Sequence, residues 1–430
     1  MESNSYNYVW GVDMTVCFFN DDYDHKYSCE YEIVDQRFCV TVDYDIDDEI
    51  EAENDIKSFG PSTEYKSRDI LIVDQSAKTN FLLKDAYYAG STSVFGSPDS
   101  GTKTRFKAII FFKYRDPNAL AELPITPKVR TIRVYSKSLY NYVNNRSVRF
   151  DYSDEETTIH LMKNTEKEIV NLKGVNIKEV SLYDLWSSSV QSKDQKIVID
   201  KTGCIELDLN RRVDYDVLYP YLNELMLFLE LYEKGKNKID KIDVTVNDKV
   251  FEISMPLREP KLMKGVTNRS VEDDLLTFLE KCYSRIPYRG KRNDIRNIFQ
   301  IIFNNSINIE DVFLAYYRFI ECYYKRKNTP GARTTFMTQA FDDHYNENAK
   351  KSFNKENTIQ EIISLRNHYV HSGYHLRNAS LRVKFDDTKR NYTVNNIDVD
   401  WIYDRTQMLR KISIDIIFKD LLGYQEYKFE

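Results

Sequence analysis

The first half of the chain is patterned for strands. Short runs rich in β-branched and aromatic residues alternate between apolar and polar positions, and turn-forming segments such as 96–101 separate them. One helix is predicted at 216–234 and a hairpin over 239–253, turning at Asn247-Asp248. The pattern favours antiparallel strands packed as a sandwich or a barrel. The strand-like runs lie at residues 12–18, 38–42, 70–73, 104–112, 130–135, 196–199 and 205–209.

The second half is patterned for helices, because apolar residues now recur every three or four positions. Predicted helices lie at residues 271–284, 293–304, 309–326, 335–345, 356–372 and 398–422. The Pro-containing stretch 256–270 is the predicted linker between the two patterns. We therefore predict an α+β chain with a β-rich domain at 1–255 and an all-α domain at 271–430.

The helix predicted at 356–372 carries the residues best suited to chemistry. Arg366 falls in the middle of its apolar stripe, and a buried guanidinium needs a partner or a solvent-filled cleft because it stays charged. Asn367 and His371 are four residues apart on the flank of the stripe, and Gly373 predicts the end of the helix. The stripe itself consists of Ile359, Ile362, Ile363 and Val370.

Arg366, Asn367 and His371 match the R-N-x3-H form of the Arg-x4-6-His motif of HEPN domains, the helical ribonuclease modules of toxins and anti-phage systems. The run at 365–374, followed by a polar stretch and a long last helix, resembles the C-terminal HEPN domain of ApeA-type defence proteins over roughly the last 160 residues. The first half is similar to their N-terminal domain in length and coarse pattern. The resemblance implies a metal-independent endoribonuclease in which these three residues are catalytic.

The same three residue types suit cleavage of RNA on chemical grounds. An imidazole exchanges protons near neutral pH, and a guanidinium offers two parallel donors to a phosphorane. One copy supplies a single histidine, whereas two copies meeting across a two-fold axis supply both a base and an acid. We therefore expect an RNA substrate, a homodimer and no metal or cofactor. The resemblance to ApeA-type proteins further implies tRNA as the substrate and a phage-encoded trigger.

Three residues outside the trio are candidate substrate contacts. Lys325 and Arg326 end one predicted helix and form a basic pair suited to phosphate, and His368 lies within the motif itself. Glu321 is a candidate ion partner for Arg366. An i,i+4 pair between Glu321 and Lys325 explains the same carboxylate equally well.

Other interpretations of the motif remain open. Arg366 can be a structural cation paired to a carboxylate, and His371 can be a cation that satisfies the last carbonyls of its helix. His368, His371 and His375 have a spacing that would suit metal ligands and a metal-dependent nuclease. A non-catalytic HEPN module for dimerisation or binding, with the N-terminal domain as a ligand sensor, is the alternative from another functional class.

Charge and cysteine content refine this interpretation. Residues 1–60 hold 16 acidic and 3 basic residues, a net of −13, whereas the rest holds 58 basic and 51 acidic residues, a net of +7. The total of −6 therefore does not argue against a nucleic-acid partner. The 6 cysteines have no Cys-x-x-Cys spacing, and neither a signal peptide nor a membrane-length apolar run is evident. We expect a cytoplasmic protein with reduced thiols and no membrane contact.

Overall fold

Strands dominate the chain up to residue 254, and helices dominate it from residue 275 onward, as the two sequence patterns predict. The α+β prediction is confirmed at this level. A computed structural model describes residues 15–19, 22–34, 37–43, 68–74, 79–93, 102–124, 126–144, 148–152, 157–161, 167–172, 176–191, 196–232, 239–255, 257, 271–286, 308–326, 333–345, 354–372, 380–385 and 390–427.

Six strands form a closed barrel in the order β5-β4-β1-β2-β3-β6, because β5 also pairs with β6. Every pairing is antiparallel, and alternate side chains point inward. The rings of Phe38, Phe81 and Phe111 meet inside at centroid distances of 5.1–6.1 Å. The strands are β1 (Thr15–Phe19), β2 (Asp22–Val34), β3 (Arg37–Asp43), β4 (Arg68–Asp74), β5 (Thr79–Ser93) and β6 (Thr102–Ala108).

A second group of strands continues the sheet beyond the barrel in the order β7-β15-β14-β8-β13-β12-β11, and β7 joins it to β5. The turn between β14 and β15 has positive φ at Asn247 and Asp248, as a two-residue hairpin requires, so this predicted hairpin is confirmed. The strands are β7 (Ile110–Tyr114), β8 (Lys128–Ser136), β11 (Glu168–Asn171), β12 (Ile177–Gln191), β13 (Lys196–Asp214), β14 (Lys241–Val246) and β15 (Lys249–Ser254). A separate hairpin pairs β9 (Val148–Tyr152) with β10 (Thr157–Leu161), and α1 spans Pro117–Ala121.

Helix α2 (Leu218–Tyr232) packs into the same hydrophobic core as this second sheet, and 12 of its residues are buried. The backbone of β13 approaches another segment closely at Gly203. A Cβ atom on Gly203 would lie 2.3 Å from the carbonyl carbon of Leu139 and 2.4 Å from the amide nitrogen of Tyr140. Only glycine therefore lets the 3-10 turn Ser138–Tyr142 pack directly on the strand.

The helical part contains five described α-helices and one feature that the sequence pattern missed. A β-hairpin follows α6, so the prediction of an all-α domain is wrong there. Its strands are only four residues long, too short for alternation to show in a polar stretch. The elements are α3 (Leu275–Arg285), α4 (Ile309–Arg326), α5 (Arg333–His344), α6 (Lys355–Ser372), β16 (Leu381–Lys384), β17 (Asn391–Val394), α7 (Val399–Asp415) and a π-helical turn (Ile416–Leu421). The helix predicted at 293–304 lies outside the described residues.

The β-rich and helical parts share a continuous hydrophobic core through α2 and α3. The ring of Tyr232 lies 5.2 Å from that of Phe278, and Phe228 meets Tyr283 edge-on at 5.0 Å. Within the helical part, Arg285 at the end of α3 donates a hydrogen bond of 2.9 Å to the carbonyl oxygen of Leu422. Most of the predicted linker, residues 258–270, lies outside the described residues. Among the described helices, none combines the length and apolar content needed to span a bilayer.

Candidate active site

Helix α6 is buried in its middle and emerges from the bundle in its last two turns. Its first turn is capped by Asn354, whose side-chain oxygen accepts from the amide of Asn357 at 3.1 Å. Val370 is 44 % exposed, so its predicted place in the buried stripe is wrong. Leu365 and Tyr369 supply the buried face at this end instead. Arg366, Asn367 and His368 are half-buried, and Val370 and His371 are exposed.

The Arg366 guanidinium is held by its neighbours on and beside the helix rather than by an acid. Its Nη1 donates to Oδ1 of Asn367 at 3.2 Å, and its central carbon lies 5.9 Å from the ring centroid of Tyr317 on α4. Among the described residues, Arg366 forms no ion pair. The structural interpretation of Arg366 as half of a salt bridge therefore finds no partner in the described part of the chain.

His371 and His368 occupy different environments on the same helix end. His371 is exposed and lies five residues beyond Arg366, about 7.5 Å along the helix axis. Burial lowers the pKa of His368, whose ring meets that of Tyr369 at 6.2 Å. Of the proposed metal trio, His375 lies outside the described residues, as does Gly373. In the described ranges no group of three or more His, Cys, Asp or Glu is arranged to hold a metal ion.

Helix α4 runs antiparallel to the exposed end of α6 and brings a carboxylate beside it. Phe313 meets Tyr369 edge-on at 5.8 Å, and Tyr317, one turn further along α4, faces Arg366. Glu310 lies in the first turn of α4 and is buried. Burial raises the pKa of the Tyr369 phenol most, and the charge of Glu310 raises this pKa further. The motif end of α6 therefore faces the N-terminal end of α4.

Lys325 and Glu321 lie at the other end of α4. Lys325 is eight residues beyond Tyr317, about 12 Å along the helix axis. Its ammonium group lies 2.9 Å from the Glu321 carboxylate in an i,i+4 pair, and no ion pair joins Glu321 to Arg366 among the described residues. The structure thus pairs Glu321 with Lys325 and places Lys325 at the end of α4 away from the motif. Arg326 is the last residue of α4. The role of Lys325 and Arg326 as phosphate contacts stays a prediction.

A buried carboxylate that sequence reasoning missed anchors α6. Oε2 of Glu361 accepts from Nη2 and Nε of Arg405 on α7 at 2.6 and 3.1 Å, and Oε1 accepts from the Tyr392 hydroxyl on β17 at 2.7 Å. The Arg405 guanidinium in turn lies 4.2 Å above the ring of Trp401. This network holds α6 between the hairpin and α7, five residues before Arg366, and so fixes which side of the helix faces solvent.

A second polar cluster joins the ends of α5, α7 and the C-terminal segment. His344 Nδ1 lies 2.8 Å from Asp415, and Tyr427 donates to the same carboxylate at 2.5 Å. Lys419 adds an ion pair to Asp415 at 2.9 Å, and the Tyr323 hydroxyl donates to Asp420. Burial alone would raise the pKa of Asp415, but the bonds from His344, Tyr427 and Lys419 outweigh it and lower that pKa.

Acid sensitivity follows from this cluster. Because the pKa of Asp415 is lowered on folding, its contribution to stability is fully present above the ordinary value of about 3.9 and is lost as the pH falls through the folded value. We expect Asp415→Asn to destabilise the protein at about pH 6, and the difference from wild type to shrink toward about pH 3. Urea unfolding at both pH values measures this difference in the free energy of unfolding. Asp404→Asn, an exposed change on the same helix, is the control, and an equal loss there would contradict the prediction.

Comparison with known proteins yields no relative: no family model matches this chain, and no curated protein or solved structure matches it at a significant level. No activity or residue role therefore comes from a matched protein.

Proposed function

We propose that this chain is a HEPN-type endoribonuclease that cleaves RNA without a metal ion, with Arg366, Asn367 and His371 as catalytic residues. In the proposed reaction, a ribose 2′-hydroxyl loses its proton and attacks the adjacent phosphorus in line. The bond to the 5′-oxygen of the next nucleotide breaks, and that oxygen takes up a proton. The products are a 2′,3′-cyclic phosphate and a 5′-hydroxyl.

Each side chain has a distinct role in this proposal. The His371 imidazole moves a proton, as base toward the 2′-hydroxyl or as acid toward the leaving oxygen. The Arg366 guanidinium stabilises the negative charge that builds up on the phosphorane. This charge is larger in the transition state than in bound RNA, so the stabilisation favours the transition state. Asn367 holds the guanidinium through its side-chain oxygen at 3.2 Å, which keeps the arginine fork in place.

The observation that carries the proposal is that Arg366 forms no ion pair with the described residues. A guanidinium that serves the fold can meet a carboxylate, as Arg405 meets Glu361, or a backbone carbonyl, as Arg285 meets that of Leu422 within the same bundle. Arg366 instead has an amide and an aromatic ring as its neighbours in the described part of the chain, on a half-buried helix end five residues before an exposed histidine. Such a cation is suited to a phosphate ligand.

A homodimer completes the proposed site. One protomer offers one His371, while proton removal and proton donation both need a group, and a two-fold axis near the end of α6 would bring two copies together. The exposed Val370 lies between Arg366 and Asn367 around the helix and is available for such an interface. The homodimer is thus part of the proposal.

In this proposal the β-rich part senses or restrains and the helical part cleaves. The core shared through α2 and α3 is a physical route by which a change in the sheet reaches the helices. By analogy with ApeA-type defence proteins, the trigger is encoded by a phage and the outcome is abortive infection. tRNA is the favoured substrate by the same analogy.

His371→Ala tests the proposal directly. We expect wild type to cut tRNA in the presence of EDTA and His371→Ala to cut about 10²- to 10⁴-fold more slowly, since proton transfer contributes that much. The measurement is the initial rate of fragment formation on a denaturing gel. Equal rates would remove His371 from the mechanism. No cutting by either protein, with the dimer intact, would favour the non-catalytic binding module.

A further inference from the structure

The hairpin β16–β17 is attached to the motif helix by one face only. Leu381 and Val383 of β16, and Phe385 directly after it, occupy alternate positions and are buried in the core that includes α6. The hairpin is also tied to α6 by polar contacts, because the Tyr392 hydroxyl donates to Glu361 and Arg390 pairs with Glu356 at 2.9 Å. The opposite face of the hairpin is therefore held at a fixed position beside α6.

That opposite face presents two cations to solvent. Arg382 and Lys384 are exposed, and neither forms an ion pair or hydrogen bond with the described residues. Their cross-strand neighbours on this face are Thr393 and Asn391, which are also exposed and carry hydrogen-bonding side chains. This row of two cations has no counter-charge among the described residues, whereas Lys281, Lys325, Lys355, Arg390, Arg405 and Lys419 form ion pairs.

Arg382 and Lys384 follow one another along the hairpin in the direction of the motif end of α6. Arg390 contacts Glu356 and Tyr392 contacts Glu361, so β17 advances along α6 in the direction of Arg366. Arg382 is paired in register with Thr393, one residue beyond Tyr392, whereas Lys384 is paired with Asn391. The two cations are about 7 Å apart along the strand, and Arg382 is the nearer to the motif end of α6.

We infer that the outward face of this hairpin binds the sugar–phosphate backbone of single-stranded RNA and guides it to the end of α6. The inference rests on the proposed function, and it adds a binding surface to that site. Arg382 and Lys384 contact phosphates, and Asn391 and Thr393 donate to phosphate or ribose oxygens. On the two described strands this face has no large apolar side chain, so it offers phosphate contacts and carries no base specificity.

Binding, measured apart from cleavage, tests this surface. The protein carries His371→Ala to prevent cutting, and the probe is a fluorescent oligouridylate of about 12 nucleotides, a length within the usual range of single-strand sites. Dissociation constants are measured by anisotropy over a range of salt concentrations. Each lost phosphate contact reduces the magnitude of the slope of log association constant against log salt by about 0.7 for single strands. We expect Arg382→Ala/Lys384→Ala to weaken binding at low salt and to reduce the magnitude of this slope by about 1.4.

A matched pair controls for loss of overall charge. Arg37→Ala/Lys128→Ala removes one exposed arginine and one exposed lysine from the β-rich part, and should leave the slope unchanged. Circular dichroism melts check folding, which solvent-facing changes on the hairpin should preserve. An unchanged slope in the hairpin pair, an equal fall in the control pair, or no binding by the parent protein would overturn the inference. Binding that behaves as expected, in a chain whose wild type never cuts RNA, would instead overturn the proposed function alone.

Discussion

Arg366→Ala is expected to lower the rate of RNA cleavage by about 10²- to 10³-fold, the usual effect of removing one donor to a developing oxyanion. The loss should appear in kcat, because the guanidinium meets more negative charge in the phosphorane than in the phosphodiester of bound RNA. The cleavage rate under single-turnover conditions and the separately measured affinity for RNA distinguish a loss of catalytic rate from a loss of binding. Growth inhibition by the overexpressed protein should disappear with the same substitution.

Arg366→Lys is the informative companion. It keeps the positive charge and loses the planar fork that matches two phosphate oxygens, so we expect activity between that of wild type and of Arg366→Ala. Thermal melting should change little in either variant, since Arg366 forms no ion pair with the described residues. If both variants lost stability and activity in parallel, Arg366 would be a structural cation, and its catalytic role would be wrong.

Glu361→Ala is expected to have the largest effect on stability, about 3–5 kcal/mol, because it leaves the guanidinium of Arg405 without its counter-charge. The side chains of Glu361 and Arg405 are 11 % and 17 % exposed, so solvent compensates little. The Tyr392 hydroxyl also loses its acceptor. Urea unfolding monitored by circular dichroism measures the change.

Glu356→Ala is the matched control on the same helix. Its ion pair with Arg390 is exposed, at 63 % and 54 % for the two side chains, so we expect a change of about 0–1 kcal/mol. Equal effects of the two substitutions would show that Glu361 does not anchor α6. A double replacement of Glu361 and Arg405 by leucine should recover part of the loss, since no unpaired charge is then left buried.

Local sequence signals were enough for the described helices of the second half and for about half of the strands, whereas β2, β5 and β9 to β12 were not predicted. The hairpin turn at Asn247-Asp248 and the boundaries of α4 and α6 follow from turn chemistry and helical spacing, which depend on neighbouring residues. The closure of the barrel does not follow, because it depends on β5 pairing with both β4 and β6. The β16–β17 hairpin was missed because two four-residue strands with charged outward positions look like a polar loop.

The same limit applies to the site. Arg366, Asn367 and His371 share one helix, so their relative placement can be derived from the chain itself. Glu361 and Arg405 are 44 residues apart, and nothing in the pattern joins them. The prediction of Glu321 beside Arg366 required a contact between two helices, whereas the structure shows the local pair with Lys325. Val370 is exposed because α6 leaves the bundle at its end, which spacing alone does not reveal.

The chemistry of the cut RNA ends tests the central claim most directly. After incubation of tRNA with wild type in EDTA, we predict a 2′,3′-cyclic phosphate on one fragment and a 5′-hydroxyl on the other, and neither with His371→Ala. A 5′-phosphate end, cleavage that appears only when a divalent metal is added, or identical ends and yields from both proteins would contradict the assignment of Arg366, Asn367 and His371 as a metal-independent ribonuclease site.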